Sequence, residues 1–274
     1  MGAEWQGKPG FGTGWFGLVG VEKSTPFLLG EMIDLLFVSH NRLRFTQASV
    51  ECLLQNTQWD KVRLIRIHDD SSSDGTAEFL SSVEWPVPRE FRWRPIGGPV
   101  AAMNKFIRES QDEGSPILAK IDNDVLLPKG WLGDCYRVMN QQPEVDLLGI
   151  ECTNDFPEPA PFFRQYQRAS HIGGIGLFRR RVFEKFGLPV AEGRQGFTQF
   201  QTRHEQIVSG WLSPSLPVAL LDHLPMEPWR SLSEEYIAKG WQRRGWGEGD
   251  VQYYSQKSVA LWEWWSGAKA EQAA

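Results

Sequence analysis

Residues 117–127 read ILAKIDNDVLL, a mostly apolar run that ends on two acidic residues and then becomes apolar again. Residues 117–121 have the length and composition of a buried β-strand. Asp122-Asn123-Asp124 follow it directly. In open parallel sheets, ligands bind beyond the carboxyl ends of the strands. The stretch therefore predicts a buried strand with a polar site at its end.

Short apolar runs alternate with helical spacings on both sides of this stretch. Runs of strand length occupy residues 32–38, 62–67, 91–94, 117–121 and 145–150. Between them, apolar residues recur at the spacing of amphipathic helices. Pro99 is acceptable in a first helical turn, and Asp74 is a predicted helix N-cap. Alternating strands and helices predict an α/β fold, with a mostly parallel sheet flanked by helices.

The remainder of the chain is less regular. Residues 172–178 and 218–221 predict two more strands, and a helix after the first of them is predicted to end at Gly187. Residues 1–30 are glycine-rich and aperiodic, and residues 225–274 hold several of the 13 tryptophans. We therefore predict an N-terminal segment (1–30), a folded domain (31–224) and an irregular, aromatic-rich C-terminal extension (225–274).

The composition excludes several classes of protein. The 274 residues carry a net charge of −5, which argues against a globally basic nucleic-acid binder. No apolar run reaches the ~18 residues of a membrane span, and the N-terminus lacks a signal-peptide pattern. The three cysteines form no Cys-x-x-Cys motif, which favours free thiols in a reducing compartment. We expect a cytoplasmic protein with no membrane span.

Polar segments follow each of the first four predicted strands. These segments are residues 39–42, 68–76, 97–99 and 122–124. Because parallel strands end at the same edge of a sheet, the segments are expected to converge there. Asp69 and Asp70 can accept hydrogen bonds from a ribose or a base, whereas helix capping and turn formation explain Asp74 and the serines.

Asp122 and Asp124 are the sharpest chemical signal in the sequence. In an extended segment, residues two apart face the same way. Two adjacent carboxylates repel each other unless a cation lies beside them. Their hard oxygens suit Mn²⁺ or Mg²⁺ bound together with substrate phosphates. The alternative is a solvated turn, which the composition Asp-Asn-Asp also favours.

In their order and spacing, these segments resemble the nucleotide-sugar half of family two glycosyltransferases. The segments that carry the resemblance are residues 36–42, 68–76, 97–104, 120–124, 172–179 and 182–187. The resemblance implies a GT-A fold with a Rossmann-like nucleotide half. It also implies metal-dependent transfer of a sugar from a UDP- or GDP-sugar to an acceptor hydroxyl, with inversion.

The same resemblance implies roles for individual residues. The nucleotide-binding set is Ser39, Asn41, Arg42, Asp69, Asp70, Asn104 and Asn123. Gly173 and Gly174 are expected beside the donor sugar, and Asp122 and Asp124 are expected to hold the metal ion.

Two further residues are candidates for the chemistry. His223 follows the last predicted strand and is a candidate third metal ligand, since imidazole binds Mn²⁺; a structural histidine at the strand end is the alternative. Glu205 belongs to His204-Glu205, which stands where the family commonly has Glu-Asp. Glu205 is therefore the predicted general base, with an ordinary surface glutamate as the alternative.

The acceptor is left open between two chemical classes. A saccharide or another small hydroxyl compound is the first expectation, with the C-terminal extension packing on or near the acceptor site. Residues 89–94 and 241–246 interleave arginine with aromatic residues, which also fits hydroxylated bases in DNA, as in phage-type DNA glycosyltransferases. A nucleotidyltransferase usually has a glycine-rich loop after its first strand, which is absent from residues 39–42. A non-catalytic nucleotide-sugar binding module would need neither base nor metal.

Overall fold

The computed structural model describes residues 32–110, 114–150, 165–190, 196–213 and 218–221. Within these ranges the strands are β1 (Ile33–Ser39), β2 (Val62–Asp69), β3 (Arg89–Trp93), β4 (Ile117–Asp122), β5 (Val125–Leu126), β6 (Leu147–Gly149), β7 (Gln165–Ala169), β8 (Gly176–Arg179), β9 (Ser209–Ser213) and β10 (Ala219–Leu220). The α-helices are α1 (Leu43–Asn56), α2 (Thr76–Ser82), α3 (Pro99–Glu109), α4 (Trp131–Gln141), α5 (Arg180–Phe186) and α6 (Gly196–Arg203). The predicted segments 1–30 and 225–274 lie outside the described residues, as does His223.

Eight strands form one sheet in the order β3-β2-β1-β4-β8-β6-β9-β7. Strands β3, β2, β1 and β4 are parallel to one another, and β9 is parallel to β6. Strand β8 is antiparallel to both β4 and β6, and β7 is antiparallel to β9. Strands β5 and β10 form a separate antiparallel pair. The α/β prediction is confirmed, and the antiparallel strands of the large sheet, β7 and β8, belong to the second half of the chain.

Strand β1 lies in the middle of the parallel half and is buried along its whole length. Successive side chains of a strand point to opposite faces of the sheet. Leu35 and Phe37 accordingly belong to one apolar cluster, together with Trp131 of α4. Leu36 belongs to a second cluster with Phe106 of α3. Burial on both faces explains why the first strands are mostly apolar, although β1 holds Asp34 and β2 holds Arg63 and Arg66.

Several predicted boundaries need correction. The strand expected at residues 172–178 forms only at Gly176–Arg179. Strands β7 and β9 and helix α6 were not predicted at all. The β7 residues QYQRA are polar and partly exposed at the edge of the sheet, so they lack an apolar pattern. Helix α3 does begin at Pro99, and α5 does end before Gly187, as predicted.

Asp74 also differs from its prediction. The N-cap of α2 is Gly75, at a positive φ of 92°. One Asp74 oxygen accepts hydrogen bonds from the backbone and hydroxyl of Thr76, at 3.1 and 2.6 Å. The other oxygen accepts the backbone N–H of Leu43 at 2.9 Å. Asp74 therefore joins the first residues of α1 and α2 instead of serving as the N-cap of α2.

None of the helices in the described part of the chain is long and apolar enough to cross a bilayer.

Candidate active site

The carboxyl ends of β2, β1 and β4 lie side by side at one edge of the sheet. Ser39, the last residue of β1, is in register with Asp69, the last residue of β2. Val38 is in register with Asp122, the last residue of β4. The parallel pairing therefore brings the polar segments after these strands together, as the sequence predicts.

Asp69 is fully buried and organises the loop after β2. Its Oδ2 accepts hydrogen bonds from the hydroxyls of Ser39 and Ser72, at 2.8 and 2.6 Å. Its Oδ1 accepts the backbone N–H of Ser72 at 2.7 Å. Ser39 and Asp69 therefore build the frame of the predicted nucleoside loop.

Asn41 joins the loop after β1 to the loop after β2. Its backbone N–H donates to the Ser72 hydroxyl at 2.7 Å, and its Oδ1 accepts the backbone N–H of Ser73 at 2.9 Å. Asn41, Arg42 and Ser71 all adopt positive φ angles, of 52°, 62° and 59°. A non-glycine residue in this region costs about 1–3 kcal/mol, and such residues cluster at ligand sites. The two loops therefore hold a strained backbone in place.

Asp70 organises the loop before α3. Its carboxylate accepts the backbone N–H groups of Ile96, Gly97 and Gly98, at 2.5, 3.2 and 2.7 Å. Gly97 and Gly98 have φ values of 94° and 92°, which side-chain-bearing residues rarely adopt. Partial burial of the Asp70 carboxyl opposes ionisation, but these hydrogen bonds outweigh it and lower its pKa. Asp70 is therefore an ionised anchor for three backbone amides.

Asp122 and Asp124 lie on either side of the turn between β4 and β5, and each contacts a cationic side chain. The ammonium of Lys120, two residues earlier on β4, donates to Asp122. The guanidinium of Arg42 donates to Asp124 at 2.9 Å. The side chain of Lys120 is only 4% exposed, so its contact with Asp122 is shielded from water. Both carboxylates are thus neutralised by the protein itself.

Asn123, between the two carboxylates, is buried and fixes the turn to α1. Its Nδ2 donates to the backbone carbonyl of Asn41 at 3.0 Å and to the hydroxyl of Thr46 at 2.9 Å. These two bonds use both hydrogens of the amide. Asn123 therefore sets the direction of the acidic turn.

Gly174 lies beside the same group of charges. A Cβ atom built on Gly174 would be 3.6 Å from the ammonium of Lys120, and one on Gly173 would be 3.8 Å from the ring of Trp211. The absence of a side chain at Gly174 keeps the space beside Lys120 open. The expected place of the glycine pair beside the donor sugar stays a prediction.

The carboxylates of Asp122 and Asp124 fit a divalent cation. Carboxylate oxygens are the ligands that Mg²⁺ and Mn²⁺ prefer, and cationic groups already contact these oxygens. Within the described ranges, no group of three or more His, Cys, Asp or Glu side chains could hold a metal ion by itself. An ion on Asp122 and Asp124 would take its remaining ligands from water or from a bound phosphate.

The sequence profile of glycosyl transferase family 2 matches residues 35–193, more than half of the chain. The chain belongs to this family. The match begins within β1 and contains β2 and β4 with the loops described above, and it confirms the predicted family. No curated protein sequence matches this chain as a relative.

Solved glycosyltransferases share the fold at low sequence identity. Residues 1–349 of S. aureus TarS, in complex with UDP-GlcNAc, align with a TM-score of 0.53 and 13% identity, over 68% of this chain and 57% of that one. A second TarS structure aligns with a TM-score of 0.52 and 14% identity, over 68% of this chain and 36% of that one. This chain thus spans about a third of that TarS chain.

A mannosyltransferase from Pyrobaculum calidifontis, in complex with GDP-Man and Mn²⁺, gives a similar result. It aligns with a TM-score of 0.52 and 13% identity, over 90% of this chain and 76% of that one. At such identities the likeness establishes the fold alone. The GT-A fold predicted for this family 2 chain is confirmed.

Two predicted site residues, Asn104 and Glu205, make no hydrogen bond to the acidic turn among the described residues. Asn104 of α3 is buried, and its amide donates to the carbonyl of Pro189 at 2.7 Å, which joins α3 to the segment after α5. Glu205 is exposed in the turn between α6 and β9. Because β9 runs in the same direction as β4, its first residue lies toward the edge opposite Asp122. The roles of both residues in this family 2 enzyme stay predictions.

Lys120 is a site residue that the sequence interpretation missed. Its signal was available, because it is the only charged residue in the run ILAKI before the acidic turn. A lysine inside a buried strand is rare unless it is paired. The pairing of Arg42 with Asp124 had no comparable signal, because 82 positions separate the two residues.

Proposed function

We propose that this family 2 glycosyltransferase transfers a sugar from a UDP- or GDP-sugar to an acceptor hydroxyl, with Mn²⁺ or Mg²⁺ and with inversion. The observation that carries the proposal is the position of Asp122 and Asp124. They lie at the carboxyl edge of the sheet, next to two interlocked loops that resemble a nucleoside site. The TarS complexes with UDP-GlcNAc and UDP and the mannosyltransferase complex with GDP-Man and Mn²⁺ support this class of donor.

The position of each residue at the edge of the sheet suggests which part of the donor it would bind. The loops organised by Asp69 and Asp70 would hold the nucleoside, and the carboxylates of Asp122 and Asp124 would hold the ion next to the diphosphate. A divalent cation, when bound, offsets the negative charge that grows on the leaving diphosphate. The ammonium of Lys120 lies beside Gly174, so it would add positive charge near the donor sugar that the glycine pair is expected to border. In an inverting reaction a base removes the proton of the acceptor hydroxyl as it attacks the anomeric carbon.

A saccharide or another small hydroxyl compound is the proposed acceptor. A second candidate, a hydroxylated base in DNA, is favoured by the edge strand β3. Trp93 on this strand is 59% exposed, and its indole N–H donates to the carbonyl of Ser72 at 3.3 Å. Arg92 and Arg94 on either side are also substantially exposed. Aromatic rings and arginines together bind unstacked bases as well as phosphates.

A donor screen tests the proposed function. UDP- and GDP-sugars are incubated with the protein and Mn²⁺, with saccharides or with single-stranded DNA carrying hydroxymethylated bases, and release of UDP or GDP is measured. We expect release that requires Mn²⁺ and increases with the correct acceptor. Asp124→Ala should abolish it, whereas Asp60→Ala, at a side chain that is 74% exposed, should not.

Three results would contradict the proposal. They are no release with any donor, release without a divalent ion, and unchanged release by Asp124→Ala. Binding of a nucleotide sugar without hydrolysis or transfer would instead identify a non-catalytic binding module.

A further inference from the structure

The carboxylate of Asp124 already has a cation at the position where a metal ion would bind. The Arg42 guanidinium donates to Asp124 Oδ2 at 2.9 Å, and the two side chains are 21% and 14% exposed. The same guanidinium lies 5.6 Å from the ring centre of Phe45. The arginine is thus held between an anion and an aromatic ring, beside the acidic turn.

The backbone indicates that the side chain of Arg42 is needed here. Arg42 is the N-cap of α1, with φ 62° and ψ 52°, and it directly follows Asn41, which also has a positive φ. Glycine adopts such a conformation without strain, whereas arginine does not. Strained residues persist only where the surrounding structure holds them, and they cluster at ligand sites.

A metal ion and the guanidinium compete for Asp124. Two cations on one carboxylate repel each other, so an ion binds Asp124 more weakly while Arg42 stays on this carboxylate. Asp122 offers no equivalent release, because its partner Lys120 is buried on β4. A guanidinium that leaves a carboxylate needs another anion, and a diphosphate matches its planar pair of N–H donors.

We propose that Arg42 exchanges Asp124 for the diphosphate of the donor, so that the divalent ion and the nucleotide bind cooperatively. The proposal rests on the proposed function, since it requires a nucleoside-diphosphate donor. In the absence of nucleotide Arg42 weakens binding of the ion to Asp124, and in its presence Arg42 binds phosphate and leaves Asp124 to the ion. By linkage, the ion strengthens nucleotide binding by the same factor as nucleotide strengthens ion binding.

Titrations with Mn²⁺ alone, UDP or GDP alone, and Mn²⁺ at saturating nucleotide test the exchange. Binding is followed by the electron paramagnetic resonance signal of free Mn²⁺ and by calorimetry. We expect the parent protein to bind Mn²⁺ more tightly with nucleotide, within the range of about 5–150-fold that is usual for coupled sites. Arg42→Met should bind Mn²⁺ alone more tightly than the parent, bind nucleotide alone more weakly, and lose most of the coupling.

Three further variants keep the result interpretable. Arg42→Gly removes the guanidinium and suits the positive φ, so it should behave like Arg42→Met in a fully stable fold. Arg42→Lys keeps the charge and should retain part of the coupling. Arg44→Met, at an exposed position on α1, should match the parent.

An unchanged affinity for Mn²⁺ alone in both Arg42→Met and Arg42→Gly would overturn the exchange, even if the parent binds UDP or GDP with Mn²⁺. Independent binding of Mn²⁺ and nucleotide by the parent would also overturn it. Failure of the parent to bind either nucleotide, with or without Mn²⁺, would overturn the proposed function as well. Tighter binding of Mn²⁺ alone by both variants, with reduced coupling, supports the exchange.

Discussion

Asn123 donates a hydrogen bond from its side-chain amide to the hydroxyl of Thr46 at 2.9 Å, and this bond joins the acidic turn to α1. The same amide donates to the carbonyl of Asn41 at 3.0 Å. The residue between the two carboxylates is therefore the one that fixes their direction. Its own side chain is buried, and its amide is engaged by Asn41 and Thr46.

Asn123→Ala should destabilise the protein and weaken ligand binding together. It removes the donor of two hydrogen bonds, one to the partly buried carbonyl of Asn41 and one to the hydroxyl of Thr46, and this loss costs about 1–3 kcal/mol. Urea denaturation is expected to show a fall of that size in the free energy of unfolding. Mn²⁺-dependent UDP binding should weaken, because the carboxylates lose their fixed direction. Asn140→Ala, at an exposed position on α4, is the matched control. Parental stability of Asn123→Ala would show that the turn is held by other contacts.

Asp70→Asn should lose stability in a pH-dependent way. An amide nitrogen would face the N–H of Gly98, which now donates to a carboxylate oxygen. The hydrogen bonds lower the pKa of Asp70 in the folded protein, despite partial burial. The stabilisation by ionised Asp70 is therefore complete above the ordinary value of about 3.9 and is lost as the pH falls through the lowered pKa.

Urea denaturation at a series of pH values checks this expectation. Asp70→Asn should be clearly less stable than the parent at pH 7, and the difference should shrink below about pH 4. Asp60→Asn, at an exposed side chain, should show no such change. A difference that stays constant across the series would mean that ionised Asp70 is not what holds the amides of residues 96–98.

The same Asp70→Asn variant separates substrate binding from catalysis. Because Asp70 anchors the loop of residues 96–98, its loss should raise the KM for the donor more than it lowers kcat. Steady-state kinetics with varied donor concentration measures both. A lower kcat with an unchanged KM would move Asp70 from donor binding into the chemical step.

The parallel half of the sheet could be predicted because both of its faces are buried. Strands such as β1 then read as mostly apolar runs, interrupted in β1 only by Asp34, and each ends where polar residues begin. Strand β7 could not be predicted, because an edge strand with the sequence QYQRA carries no apolar pattern. Helix α6 could not be predicted either, because glycine and polar residues in and before it interrupt the helical spacing of apolar residues.

The location of the site could be predicted, but the hydrogen bonds among its residues could not. The sequence places Asp69, Asp70, Asp122 and Asp124 at the ends of parallel strands, and register alone then brings them to one edge. It does not show that Asp69 and Asp70 bind serine and backbone groups, because those bonds depend on loop angles such as the positive φ of Ser71.

His68 should make the protein less stable below neutral pH. Its ring is fully buried in β2, and neither ring nitrogen has a hydrogen-bond partner of good geometry among the described residues. Burial lowers the pKa of His68 from 6.5 to about 4, although the carboxylate of Glu109 opposes this shift. Between these values the unfolded chain binds a proton that the folded chain does not. Stability is therefore complete above pH 6.5 and falls as the pH drops toward 4.

His68→Leu removes the titrating group and should flatten this dependence. Between pH 7.5 and pH 5, the free energy of unfolding should fall less in His68→Leu than in the parent, as measured by urea denaturation. His171→Leu, at an exposed position, should keep the parental dependence. Equal pH dependence in the parent and His68→Leu would show that His68 is not the group responsible.

Glu205→Gln decides between a general base and a surface glutamate. A positioned base contributes about 10²–10⁴-fold to the rate, so the sequence-based assignment predicts a fall of that size in transfer. UDP binding should be unchanged, because the proposed donor ligands Asp122 and Asp124 are intact.

The control for Glu205→Gln must lie near Glu205 without a structural role. Gln201→Asn on α6 is no suitable control, since Gln201 forms hydrogen bonds with the backbone of Ile172. Gln206→Ala, at an exposed neighbour of Glu205, serves instead. A parental transfer rate in Glu205→Gln would identify a surface residue, in agreement with its exposed turn before β9. The base would then have to be sought at Asp155, Glu158 or Asp222, by the same substitution of amide for carboxylate.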